Sequence, residues 1–102
     1  MPERPWHTVA TDLFEIRNSK YLLIVDYYSR FPVLWRLAST TARVLIQEMK
    51  AVFTELGVPS VIVSDGGPQY TSVEFKDFMK QWQIKHKVSQ SQMEWQRDMS
   101  RL

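Results

Sequence analysis

The chain has 102 residues, 44% hydrophobic and 13% aromatic, which suits one small domain with a packed core and argues against disorder. Thirteen basic and eleven acidic side chains leave a net charge of +2, which permits an acidic partner without demanding one. The absence of cysteine excludes a disulfide framework and a thiolate metal site, and no apolar run is long enough to span a membrane. A soluble intracellular domain is expected; the polar N-terminus carries no targeting signal and leaves a nuclear location open.

Residues 7–14 and 21–26 read as strands joined by the turn-like RNSK. Within the second, YLLIVD is continuous rather than alternating, which predicts a strand buried on both faces. DYYSRFP is the next turn and 33–37 the third strand, so three neighbouring strands form an antiparallel meander. The period then changes. Leu45, Met49, Val52, Phe53 and Leu56 fall on one helical stripe, with Thr40 or Thr41 to cap its start and Gly57 followed by Pro59 to end it. VIVS, 61–64, is a fourth strand, and Asp65 sits just past its end. Thr71 and Glu74 spell a capping box for a second helix, which carries Phe75, Phe78, Met79 and Trp82 inward. IKHKV, 84–88, is the fifth strand.

The order β-β-β-α-β-α-β predicts an α/β domain over residues 1–89, a mixed five-stranded sheet flanked by helices. After Ser89 the composition shifts, and residues 90–102 form a divergent tail. Trp95, Met99 and Leu102 fall at helical spacing there, so a thin amphipathic helix and a disordered tail are both open.

Two acids stand out. Asp12 lies on strand one, where a charge is costly unless it is paired or near an opening, and Asp65 ends strand four. In this strand order both reach the same edge of the sheet. Taken singly, Asp65 is a turn or cap residue and Asp12 a strand-end ion-pair partner. Taken together, they suit Mg²⁺ or Mn²⁺, hard ions that take oxygen ligands. Asp26 reads as a turn carboxylate accepting backbone N–H groups in DYYSR, with a place at the metal as its alternative. Lys76 and Lys80 share a helix face, and Lys85 and Lys87 one side of the last strand; both pairs are candidate phosphate contacts, with a plain solvated surface as the alternative. His7 and His86 read as ordinary strand histidines, and Trp6, Trp35 and Trp82 as packing.

TDLF, YLLIVDYYSRFP, VIVSDGGPQYTSVEFKDFM and IKHKVS, in this order and spacing, resemble the catalytic core of integrases from gypsy-type long-terminal-repeat retrotransposons, relatives of retroviral integrases. The resemblance runs over residues 5–89. It implies a ribonuclease-H-like fold and DNA as partner and substrate, joined by metal-dependent polynucleotidyl transfer. It also implies a site of two aspartates and a glutamate around two Mg²⁺ ions, in which Asp12 and Asp65 are the first two acids, both catalytic and metal-binding. Gln69 corresponds to a position close to that site and is a candidate DNA contact. A homodimer is expected, with no membrane and no small-molecule substrate.

At the family's spacing the third acid would fall at position 101, which is Arg101. The family's loop before that glutamate contains proline and glycine, and neither occurs here after Pro68. The tail's acids are Glu94, about two helical turns short of the expected place, and Asp98. So abrupt a change after Ser89 points to truncation, altered splicing or a change of frame. The sequence therefore predicts weak, single-ion metal binding, an integrase core-like domain inactive on its own, and the family's next helix in question. The alternative is a non-catalytic DNA-binding or self-associating relic.

Overall fold

The computed structural model describes residues 5–89. β1 (Thr8–Ile16) and β2 (Ser19–Asp26) form a hairpin whose register runs from Val9 opposite Asp26 to Ile16 opposite Ser19. Its loop is only Arg17 and Asn18, with φ of 51° and 67°, the sense of a type I′ turn whose twist matches the flanking strands. The ladder therefore runs past the expected limits at Phe14 and Tyr21. Glu15 stands opposite Lys20 in this polar extension, and their side chains pair at 3.7 Å. β3 (Pro32–Leu37) completes the antiparallel meander.

In β2, Leu22 and Ile24 join the main core while Leu23 and Val25 join a second cluster, and all four are buried. The unbroken apolar run has that cause: both faces of this strand are covered.

α1 (Ala42–Leu56) is capped by Thr41, whose hydroxyl accepts from the Val44 N–H at 3.3 Å. Leu45, Met49, Val52 and Phe53 are buried as the stripe predicts, but Leu56, at the last helical position, is 47% exposed. Gly57 ends the helix with φ of 106°, and its N–H donates to the Phe53 carbonyl at 2.9 Å. β4 (Val61–Ser64) follows.

One expected helix is two. α2 (Pro68–Thr71) is a single turn with Pro68 at its start, where a missing N–H costs nothing, and α3 (Val73–Gln81) begins after an extended Ser72. Ser72 is the cap of α3, accepting from the Phe75 N–H at 3.1 Å, so the box between Thr71 and Glu74 does not form. Phe75, Phe78 and Met79 are buried, and Trp82 packs against the core from just beyond the helix. β5 (Lys85–Val88) closes the fold.

The sheet order is β3-β2-β1-β4-β5, antiparallel from β1 to β3 and parallel from β1 to β5. α1, α2 and α3 add their apolar faces to Val9, Leu22, Ile24 and Ile62 on one face of the sheet. The opposite face carries the smaller cluster of Ala10, Leu23 and Val25, with Phe14, Tyr27 and Val63 packed against it. Among the described residues, no helix is long and apolar enough to cross a membrane.

Candidate metal centre

β1 and β4 are parallel neighbours, with Thr8, Val9 and Ala10 opposite Val61, Ile62 and Val63. Carrying that register on by two residues, one past the end of β4, aligns Asp12 with Asp65. Asp12 is half-buried and, by the alternation of the pleat, shares the sheet face of Ala10; Asp65 is exposed at the carboxyl end of β4. One group senses both acids. Burial pushes the Tyr70 phenol far above its ordinary range; its hydrogen bond with Thr11 opposes this, and the negative charges of Asp12 and Asp65 add to it.

The segment after β4 is built around Asp65. Its Oδ1 accepts the Gly67 N–H at 2.9 Å, so the turn role foreseen for this residue is real. A Cβ at position 67 would lie 3.1 Å from that oxygen and 3.3 Å from Oε1 of Gln69. A side chain there would crowd both, and the same closeness sets the Gln69 amide beside the Asp65 carboxylate. A cleft of about 290 Å³ opens here, lined by Asp65, Gly67, Gln69 and Tyr70 together with Leu13, Phe14, Glu15 and Thr40. Its place outside the carboxyl end of a parallel strand is where α/β sheets hold ligands. A larger hollow of about 410 Å³ at the β1–β2 turn, lined by residues including Lys20 and Arg36, contains neither aspartate.

Paired carboxylates offer hard oxygen donors, and Mg²⁺ tolerates such a partial set because it keeps several waters. Among the described residues, no three His, Asp or Glu side chains gather closely enough to hold an ion. Glu15 lines the same cleft but pairs with Lys20. Glu94, Asp98 and Arg101, with the rest of the tail, lie outside the described residues.

Asp26 is the turn residue its sequence context suggests. It is 5% exposed and accepts the N–H groups of Trp6 at 3.0 Å, Tyr28 at 3.2 Å and Ser29 at 3.4 Å, and the Ser29 hydroxyl at 2.9 Å. Burial pushes its carboxyl up, but the bonds from Ser29 and the backbone outweigh that and hold it below its ordinary value. It stands opposite Val9, on the order of 10 Å along β1 from Asp12 and on the other face, outside any shared coordination sphere.

The four lysines divide. Lys85 and Lys87 sit opposite Val61 and Val63, on the sheet face shared by Asp12, whereas Lys76 and Lys80 are exposed on α3, across the sheet. His86 is structural: its Nε2 meets the Ser64 Oγ at 2.7 Å, its ring lies 5.0 Å from that of Phe75, and burial lowers its pKa. His7 bonds the Thr8 hydroxyl through Nδ1 at 2.9 Å. Trp6, Trp35 and Trp82 all pack against the main core, and Trp6 also donates its Nε1–H to the Gly57 carbonyl at 2.6 Å. Thr11 and Tyr70 carry no flag in the sequence. They are 59 positions apart, and no local pattern pairs them.

Comparison with known proteins adds an independent line. The family described as Integrase core domain matches residues 2–93. The Gag-Pro-Pol polyprotein of Simian retrovirus SRV-1 is 32% identical over 87 residues, 84% of this chain and 5% of the polyprotein. An uncharacterized protein of Caenorhabditis elegans is 32% identical over 90 residues, 87% of this chain and 7% of that protein. The chain thus spans only a small fraction of these relatives. The HTLV-2 integrase catalytic core domain, solved in complex with magnesium in a trimeric form, matches with a TM-score of 0.75 at 27% identity, over 87% of this chain and 63% of its own. The catalytic core domain of BIV integrase shares the fold, with a TM-score of 0.79 at 14% identity, over 94% of this chain and 62% of its own.

Proposed function

The chain belongs to the integrase core domain family, with its ribonuclease-H-like fold, and on that premise we propose that Asp12 and Asp65 are the divalent-cation ligands of a DNA-joining site. The observation that carries this reading is the parallel register of β1 and β4, which, continued by two residues, aligns Asp12 with Asp65. The magnesium held by the HTLV-2 core supports the choice of ion. A divalent cation bound here would polarise the scissile phosphate and make the attacking hydroxyl more acidic.

The protein's own groups supply the rest. Asp65 is held by its bond from Gly67, and the missing side chain at Gly67 lets a strand approach closely. Gln69 offers an amide beside that approach. Lys85 and Lys87, on the face shared by Asp12, take the phosphates that lead to it; Lys76 and Lys80 belong to a separate contact on α3. The DNA partner, a homodimer and descent from a gypsy-type element all stand on the family resemblance.

This chain by itself does not join DNA strands in our reading, because Arg101 stands where the family's spacing places the third acid. A non-catalytic DNA-binding or self-associating role is the second reading, favoured by the same residue. The assay is Mn²⁺-dependent joining of short donor duplexes, with Asp65→Asn as blank. No product above the blank is expected, and product above it would overturn the inactive reading. Arg101→Glu alone should not restore joining, because residues 90–102 lack the glycine and proline of the family's loop and ligands must be held to within about 0.5 Å. Replacing residues 90–102 as a block with a family-like loop and glutamate-bearing helix should do better.

A further inference from the structure

Among the described residues Tyr70 is the largest fully buried side chain, and it is more polar than its setting needs. Its ring stands edge-on to Phe75 at 5.4 Å and tilted to His86 at 6.4 Å, surroundings that a phenylalanine would fill as well. The hydroxyl meets the Thr11 Oγ1 at 3.1 Å, in a contact buried from solvent. Thr11 is itself 1% exposed. Burying two hydroxyls is unfavourable unless each satisfies the other, so the pair is either made or costly.

Its position is what gives the pair a consequence. Thr11 is the residue before Asp12 on β1, while Tyr70 lies in α2, joined to Asp65 by the short turn through Gly67. Ladder pairing between β1 and β4 runs from Thr8 and Val61 to Ala10 and Val63. Beyond that point the two carboxylate-bearing segments are tied across by the Thr11–Tyr70 bond. The turn between is stiffened from within, since the Tyr70 and Thr71 N–H groups both donate to the Gly67 carbonyl, at 3.0 and 3.1 Å. Movement at Tyr70 is therefore passed to Asp65.

We infer that Tyr70 is a positioning residue: its hydrogen bond with Thr11 holds the 65–71 segment against β1 and so sets the spacing of Asp12 and Asp65 for a divalent cation. The cation part rests on the function proposed above; the tether does not. Partners of this kind, one step removed from a metal, typically change affinity by about 10- to 100-fold when removed.

The test compares wild type, Tyr70→Phe, Thr11→Ser and the double variant Thr11→Val/Tyr70→Phe, in the full chain. Replacing both partners by groups of similar shape leaves no orphaned hydroxyl, so the double variant should melt close to wild type. Mn²⁺ affinity is read by the electron paramagnetic resonance of the free ion, and exchange of the Gly67, Tyr70 and Thr71 amides by NMR. Tyr70→Phe and the double variant should bind Mn²⁺ on the order of 10-fold more weakly and exchange these amides faster, with Thr11→Ser, which keeps the hydroxyl, close to wild type. Wild-type affinity and unchanged exchange in the double variant would overturn the inference. Failure of wild type to bind Mn²⁺ at all would sink the metal reading instead; amide exchange then decides the tether alone, faster supporting it and unchanged rejecting it.

Discussion

At Asp65 the backbone and the proposed chemistry share one carboxylate. Oδ1 accepts the Gly67 N–H and fixes the turn, a task that an asparagine side chain performs equally well. Asp65→Asn should therefore change unfolding free energy by less than about 0.5 kcal/mol, in the range of ordinary surface substitutions, while abolishing Mn²⁺ binding. Denaturant melts and ion titration on the same samples check both halves. Asp26 is the contrasting acid, buried and spent wholly on structure. Its folded-state pKa lies below its unfolded value, so it contributes stability that is present above the ordinary value of 3.8 and is lost as pH falls below it. Wild type should weaken in that acid window; Asp26→Ala should cost about 2–3 kcal/mol at pH 7 and lose that part of the acid dependence. Melting curves taken from pH 7 to pH 2.5 would show it. The turn role of both acids is legible in sequence context, because one follows a strand into a glycine turn and the other opens an aromatic one. The Tyr70–Thr11 contact had no such trace, since it is made by the packing of α2 on β1 rather than by any local pattern.

Among the elements, those built from long-period hydrophobic signals were legible and their ends were not. The stripe of α1 and the solid run of β2 are written by burial, and burial is what the residue types report. The β1–β2 ladder continues into polar sequence on the strength of a tight turn at Arg17 and Asn18 and the Glu15–Lys20 pair, neither of which has an apolar signature. The sequence places the start of α3 one residue early, because Thr71 and Ser72 are both competent caps. Pro68 decided between them by nucleating a separate turn that consumes Thr71. Ser72→Ala should accordingly cost about 1 kcal/mol, the usual value of a lost N-cap, and Thr71→Ala clearly less. Urea unfolding midpoints of the two variants distinguish the caps; equal losses would restore Thr71 to the role.

At the scale of the whole molecule, the sheet separates support from the proposed chemistry. The helices and nearly all the large buried side chains lie on one face, where they fix β1 and β4 as neighbours. Asp12, Lys85 and Lys87 occupy the other face, and Asp65 stands at the strand end that joins the two. The order of strands, read from sequence, makes β1 and β4 parallel neighbours; which lysines share the face of Asp12 depends on the pleat, which a grouping of all four leaves out. Whether Asp12 and Asp65 form one cation site is decided by titrating Mn²⁺ into labelled protein and mapping the amides whose NMR lines broaden. Broadening centred on residues 11–13 and 65–67, and lost in Asp65→Asn, is the predicted result. Broadening centred instead on the α1 acids Glu48 and Glu55, or unchanged in Asp65→Asn, would contradict it.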